Sequence, residues 1–159
     1  MRPTALLVLA TLLGAGEPLQ RAGIAVSVTS EADAGGPVLV ARFTPMTQDP
    51  PLHLYAIDLP AGGGGLATRL ELEPGSAVRA RGPLTADQEA QLLDGLRVYP
   101  EGAVVVLRLP ISAPAGRDPL SVGVLVSYMA CSRSSCLMPV QRARLAVEVP
   151  ARKRLIQYS

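Results

Sequence analysis

Short segments in which apolar residues alternate with polar or small ones recur along most of this chain, separated by Gly and Pro. A period of two places the apolar side chains on one face of a β-strand, and Gly/Pro breaks are typical of tight turns. The predicted strands are 23–30, 37–44, 52–59, 66–72, 103–111, 120–128 and 142–149. Short strands joined by such turns favour an all-β fold, an antiparallel β-sandwich, over a parallel sheet.

Two segments depart from this pattern. Residues 85–96 have a helix-like composition, in which Thr85 could cap a helix, Gln88 follows three positions later and Gly95 could end it. We therefore expect a short helix or an ordered loop there, and at most one short helix in the domain. The four consecutive glycines Gly62–Gly65 predict a flexible loop between two strands.

The first residues have the layout of a secretory signal peptide. Arg2 gives a positive start, residues 4–13 are almost all apolar, and the small residues 14–16 precede Glu17. An apolar run of about ten residues is roughly half of what a membrane-spanning helix needs. We expect cleavage near Glu17 and a periplasmic or otherwise exported, soluble mature chain that does not insert into the membrane. The predicted organisation is a signal peptide over 1–16, a linker over 17–22, one domain over 23–150 and a basic tail over 151–159.

Charge and histidine content argue against several functions. Fifteen basic and thirteen acidic residues give a net charge of +2, too weak to predict nucleic-acid binding. His53 is the only histidine and no serine lies in a G-x-S-x-G motif, so hydrolase chemistry is not predicted. We interpret His53 as a packed or surface residue that supports the strand of Tyr55. Met46, Met129 and Met138 could join His53 and the cysteines in binding copper(I), but they show no regular spacing, and no metal or cofactor is predicted.

Cys131 and Cys136, the only cysteines, are separated by four residues and follow a predicted strand directly. A structural disulfide, a redox pair and a metal site are all compatible with them. A bridge that closes six residues stabilises a fold by only about 2 kcal/mol, against roughly 4 to 5 kcal/mol for a bridge spanning most of a domain. Arg133 and the serines between the cysteines make a polar, cationic loop, which favours thiolate formation and exposure. We therefore favour exchange, with the other two roles left open.

Tyr128 lies three residues before Cys131. At strand spacing its ring could pack beside the sulfurs and partly exclude water. A tyrosine in the core of the sandwich is an equally good interpretation.

The segments around the cysteines resemble a known family. Residues 126–131 (VSYMAC) and 136–139 (CLMP) resemble the "YQAC…CLPP" signature of the N-terminal periplasmic domain of the thiol:disulfide interchange protein DsbD. Residues 53–55 (HLY), followed by a Gly-rich loop, are similar to the family's "H-I-Y" strand. Residues 98–102 (VYPEG) are similar to its "vYeG" turn. The resemblance extends over residues 23–149.

This resemblance implies an immunoglobulin-like fold in which Cys131 and Cys136 receive electrons and pass them on. It also implies the partners, a membrane electron-transport protein of the DsbD type and exported thioredoxin-like proteins. By analogy with the family, Cys136 is the sulfur that attacks or is attacked. Tyr55, Tyr128 and Arg133 are the candidate supporting residues. The alternative is a non-enzymatic, immunoglobulin-like binding module in which the disulfide only holds a loop.

The sequence also departs from the family's pattern. Met129 and Met138 replace a Gln and a Pro near the sulfurs, changes that could alter the fit of a partner. DsbD shields its cysteines with a cap loop that carries an aromatic residue, and the loop Glu73–Ser76 has none, so that cap is not carried over. DsbD continues into a membrane domain and a thioredoxin-like domain. We expect a free-standing relative whose electron donor is a separate protein.

Overall fold

A computed structural model describes residues 16–151 of the chain. The predicted signal peptide, 1–16, and the basic tail, 151–159, lie outside the described residues apart from Gly16 and Ala151. None of the described residues forms a helix long and apolar enough to cross a membrane.

Thirteen strands, several of them very short, make up the secondary structure of the described residues, which contain no helix. They are β1 (Leu19–Arg21), β2 (Ile24–Asp33), β3 (Gly36–Pro45), β4 (His53–Leu54), β5 (Arg69–Leu72), β6 (Arg79–Ala80), β7 (Thr85–Ala86), β8 (Gln91–Leu93), β9 (Leu96–Val98), β10 (Val105–Ser112), β11 (Leu120–Tyr128), β12 (Ala130–Cys131) and β13 (Val140–Val149). The prediction of an all-β fold is confirmed.

Two antiparallel sheets enclose the core. One has the order β1-β2-β3-β10, with β6 and β7 on the far side of β10, and the other has the order β13-β11-β5. Alternate residues of β2 and β11 point inward from the two sheets, and all six of these side chains are buried: Ile24, Val26, Val28, Val122, Val124 and Val126. The alternation in the sequence therefore marks the two inner faces of an antiparallel sandwich.

Two small strand pairs bring the cysteine segment to the sheets. In one, β4 pairs with β12, so that His53 lies opposite Cys131 and Leu54 opposite Ala130. In the other, β8 and β9 form a hairpin, and Val98 of β9 pairs with Tyr55, the residue directly after β4. The strand predicted over 52–59 is thus much shorter than expected, and it serves mainly to hold the cysteines.

Of the short helix or ordered loop expected over 85–96, the helix does not form. The segment contains β7, which pairs with β10, and then β8, which turns into β9. The turn is Asp94-Gly95, and both of its residues have positive φ, 50° and 80°. Asp-Gly with these angles is a preferred two-residue hairpin turn, because its twist matches that of the strands it joins. A hairpin signal was therefore present in the sequence, and the spacing of the capping residues obscured it.

Part of the linker expected over 17–22 is a strand of the first sheet. Residues 19–21 form β1, which pairs with β2 through a tight turn at Ala22-Gly23. Both turn residues have positive φ, 51° and 78°, so the chain reverses directly into β2. Ala-Gly is a weaker turn signal than Asn-Gly or Asp-Gly, which is why the sequence did not indicate a strand there.

Candidate functional site

The two cysteines form a disulfide across a narrow hairpin. Cys131 ends β12 and faces Cys136 in an antiparallel bridge, and their Cα atoms are 4.0 Å apart. Backbone hydrogen bonds lie on both sides of the bridge, from the Ser132 amide to the Ser135 carbonyl (2.8 Å) and from the Leu137 amide to the Ala130 carbonyl (2.9 Å). The hairpin thus has its own backbone pairing in addition to the disulfide.

The two cysteines differ in exposure. Cys131 is only 2% exposed, whereas Cys136 is exposed. A thiolate from another protein can therefore reach Cys136, and Cys131 is the sulfur that would leave.

His53, Cys131 and Cys136 form a row across three neighbouring chain segments. Cys131 is the middle member, because it pairs with His53 on one side and with Cys136 on the other. Residues opposite each other in adjacent strands project from the same face, with their Cβ atoms roughly 4.5–5.5 Å apart. The imidazole and both sulfurs therefore share one face of this small sheet.

Tyr55 contacts the buried sulfur. Its hydroxyl lies 3.5 Å from Sγ of Cys131, and it is the donor because a disulfide sulfur carries no proton. The ring meets that of His53 edge to face, with the centroids 5.9 Å apart. On its other side lies Gly65, where an added Cβ would be 2.7 Å from a ring carbon of Tyr55. At this position the Gly-rich loop needs glycine because the backbone packs directly on the tyrosine ring.

His53 is a site residue that the sequence interpretation missed. Its side chain is buried, 4% exposed, and Nδ1 has no hydrogen-bond partner among residues 16–151. Desolvation by burial lowers the pKa of His53, the positive charge of Arg133 lowers it further, and Glu101 opposes both effects. The available signal was its position two residues before Tyr55 on an alternating strand, which places both side chains on the same face.

A cleft of about 380 Å³, here called the disulfide cleft, lies beside these residues. The loop 131–136 forms one wall, the β8–β9 hairpin forms the other, and His53 and Tyr55 lie between them. Leu93 and Leu96 give the second wall an apolar surface, and Asp94 adds a carboxylate. The loop Glu73–Ser76 lies elsewhere, since Glu73 forms an ion pair with an arginine of β13.

Arg133 does not act as an isolated cation between the sulfurs. Its Nε lies 2.8 Å from a carboxylate oxygen of Glu101, and its side chain is 78% exposed. An exposed ion pair of this kind contributes little to stability and is screened by salt. Arg133 does line the disulfide cleft, so its charge stays close to the cysteines while it also links the loop to the turn that carries Glu101.

Tyr128 occupies the core and does not line the disulfide cleft. It is fully buried, its ring packs edge to face on Phe43 with the centroids 5.7 Å apart, and its hydroxyl donates to the Arg21 carbonyl at 2.7 Å. Cys131 packs in a separate apolar cluster with Tyr55 and Val98. Of the two roles considered for Tyr128, the structure supports the core role.

Of the residues considered as copper(I) ligands, the two cysteines are bonded to each other, and Met46 and Met138 are 54% and 79% exposed. Within residues 16–151, no three His, Cys, Asp or Glu side chains are grouped so that they could hold a metal ion.

Ser132 holds the loop between the cysteines in shape. Its hydroxyl accepts from the Ser134 and Ser135 amides (3.3 and 3.2 Å) and donates to the Ser135 carbonyl (3.2 Å). We expect Ser132→Ala to raise the reduction potential by roughly 10–30 mV, because these bonds keep the two thiols close once the disulfide is reduced. Equilibration with glutathione measures the potential.

Ser134→Ala is the matched control for this experiment. Ser134 is exposed, and among residues 16–151 its hydroxyl makes only a contact of 3.4 Å with the hydroxyl of Ser132. Equal potentials for the two variants would contradict the role of Ser132 in holding the loop.

The buried imidazole should make the stability of the fold depend on pH. Because the folded state lowers the pKa of His53 below its ordinary value of 6.5, its neutral form stabilises the protein above that pH. That contribution is lost as the pH falls from about 6.5 through the lower pKa of the folded state, since His53 must then be charged or exposed. We expect the free energy of unfolding in urea to fall over this interval in the wild type and to change less in His53→Phe. Identical slopes in the two proteins would show that His53 is not the group responsible.

The described site therefore consists of a half-buried disulfide, a buried imidazole and a tyrosine hydroxyl beside an open cleft. Comparison of the chain with protein-family models, with curated proteins and with solved structures found no match.

Proposed function

We propose that this protein is an exported thiol–disulfide exchange carrier that works through Cys131 and Cys136. The single observation that carries the proposal is the asymmetric disulfide, with the exposed Cys136 at a cleft and the buried Cys131 beside Tyr55. An exchange site needs one sulfur that a partner can reach and a second that can leave and return.

The exchange follows from this asymmetry. A thiolate of a reduced partner attacks Sγ of Cys136, the bond between Cys131 and Cys136 breaks, and Cys131 leaves as a thiolate. The second thiolate of the partner then attacks the mixed disulfide at the partner's own sulfur and releases Cys136. The partner's dithiol is oxidised by two electrons, the cysteine pair is reduced by the same two, and the two thiolates take up protons. The hydroxyl of Tyr55, 3.5 Å from Cys131, can donate to the leaving thiolate.

The partners follow from the resemblance of residues 23–149 to the N-terminal domain of DsbD. We propose a membrane electron-transport protein of the DsbD type as donor, exported thioredoxin-like proteins as acceptors, and an immunoglobulin-like arrangement of the sandwich. Export rests on the pattern of residues 1–16. The apolar Leu93 and Leu96 beside the sulfurs support docking of another protein at the disulfide cleft.

The second candidate is a binding module in which the disulfide is structural. Burial of Cys131 favours it, because a buried sulfur resists attack. The hairpin's own backbone pairing argues against it, since hydrogen bonds already close the loop on both sides of the bridge.

The reduction potential separates the two functions. For an exchange site we expect a value above about −300 mV, whereas a structural disulfide should lie below that value. The measurement is the fraction of oxidised protein at equilibrium with defined ratios of reduced and oxidised glutathione, followed by thiol labelling and mass spectrometry. A disulfide that stays oxidised under fully reducing glutathione would assign the protein to the binding-module class.

A further inference from the structure

We propose that His53 is the proton acceptor for the thiol of Cys131 when Cys131 attacks a mixed disulfide at Cys136. The inference rests on the proposed exchange function and adds to it a proton-transfer group on the strand next to the cysteines. Tyr55 is a hydrogen-bond donor to Cys131, which leaves the role of base to another residue.

The first argument is position. His53 is directly opposite Cys131 in the β4–β12 pair, and Cys131 is directly opposite Cys136. Opposed side chains on one face have Cβ atoms about 5 Å apart, so an imidazole and a thiol in this arrangement are within reach of each other. The attacking sulfur therefore lies between the base and the sulfur that it attacks.

The second argument is the unpartnered nitrogen. A buried polar atom without a hydrogen bond costs roughly 1–3 kcal/mol, and native proteins rarely leave one in that state. Nδ1 of His53 is such an atom in the oxidised protein, where Cys131 has no proton to donate. Reduction of the disulfide places a thiol proton on Cys131, the residue that pairs with His53. In the reduced form this thiol is the donor that we assign to Nδ1.

The surroundings suit a neutral base. Burial disfavours the imidazolium, so His53 is unprotonated and able to accept a proton near neutral pH. The other charged or titratable groups on this side are Arg133, Glu101, Asp94 and Tyr55. Transfer of the proton creates an imidazolium and a thiolate together, and their mutual attraction offsets part of the cost of charging a buried group.

The step is balanced in atoms and electrons. The S–H bond of Cys131 breaks and its proton goes to His53. The thiolate forms the bond to Sγ of Cys136 while the bond between Cys136 and the partner's sulfur breaks. The partner leaves as a thiolate with the electron pair and later takes up a proton. The cysteine pair is oxidised by two electrons, and the partner's sulfurs are reduced by the same two.

An aromatic disulfide that releases a coloured thiolate isolates this step. The reduced protein should release one equivalent of the coloured thiolate when Cys136 attacks the reagent, at a rate proportional to reagent concentration. A second equivalent of the coloured thiolate is released when Cys131 attacks the mixed disulfide on Cys136, at a rate independent of reagent concentration. The rate of this second phase is measured against pH in the wild type, in His53→Gln and in His53→Phe. The Phe variant keeps a ring that can pack against Tyr55 but has no basic nitrogen.

We expect both variants to slow the second phase at neutral pH by about tenfold or more, because a thiol without a base is only a few per cent thiolate there. Their rates should rise only at the alkaline pH where the thiol itself ionises, and the first phase should keep its wild-type rate. Unchanged second-phase rates and pH profiles in both variants would overturn the role of His53.

A second measurement needs no substitution. His53 is the only histidine of the chain, so a single imidazole signal can be followed by NMR as the pH is changed. We expect its titration to differ between the oxidised and reduced proteins, because only the reduced form has a thiol to share the proton. Identical titrations would contradict the proposal.

Failure of the proposed function and failure of the role of His53 give different results. If dithiols never reduce the disulfide, the proposed function fails and the role of His53 with it. If they do and the second phase is unchanged, only the role of His53 fails.

Discussion

Replacing Cys131 with serine should abolish electron transfer and leave a thiol at Cys136 that traps partners as mixed disulfides. The exposed Cys136 can still attack a partner, but no second sulfur remains to resolve the product. Cys136→Ser should also abolish transfer yet trap far less, because the remaining thiol of Cys131 is only 2% exposed. Nonreducing gels and mass spectrometry of extracts from the exported fraction measure the adducts.

The double serine variant is the control for folding. A bridge closing a loop of this size contributes only about 2 kcal/mol, so the melting temperature should fall by roughly 5–10 °C and the β-rich circular dichroism should persist. Two results would contradict the carrier function. One is unfolding of the double variant at growth temperature, and the other is the absence of any reducible adduct with Cys131→Ser.

The second large effect concerns Tyr128. We expect Tyr128→Ala to lower the free energy of unfolding by about 3–5 kcal/mol, since it removes a fully buried ring that packs on Phe43. That is a large part of the roughly 5–15 kcal/mol by which domains are stable. The reduction potential of the variant should nevertheless equal that of the wild type. Urea unfolding of the oxidised protein and glutathione equilibration measure the two quantities.

Tyr128→Phe is the matched variant. It keeps the ring and removes the hydroxyl, leaving the Arg21 carbonyl without the donor that lies 2.7 Å away, at a cost of about 1–2 kcal/mol. A changed reduction potential in Tyr128→Phe would mean that Tyr128 acts on the sulfurs and would contradict its assignment to the core.

The long strands could be predicted from the sequence because each has one buried and one more exposed face. Predictions over 23–30, 37–44 and 120–128 correspond to β2, β3 and β11, within three residues at every end. Prediction failed where strands are too short to show a period. β7, β8 and β9 have two or three residues each, and the only local sign of the β8–β9 hairpin is its Asp94-Gly95 turn.

The candidate site was predictable only in part. Cys131 and Cys136 could be paired from the sequence because the chain has two cysteines, close together. Tyr55 came from the resemblance, and its contact with Cys131 spans 76 positions of the chain. The partner of Arg133, Glu101, lies 32 positions away and lacks any local pattern that would indicate it.

By itself the sequence determined the antiparallel β character, the two inner faces and the identity of the disulfide-bonded pair, because these depend on local alternation and on composition. Tertiary structure decided which cysteine is exposed, that Tyr128 belongs to the core and that His53 lies opposite Cys131. These depend on strand register, in which a shift by one residue would move every side chain to the other face. Register is set by turns and by packing between distant segments, and so a local sequence pattern cannot specify it.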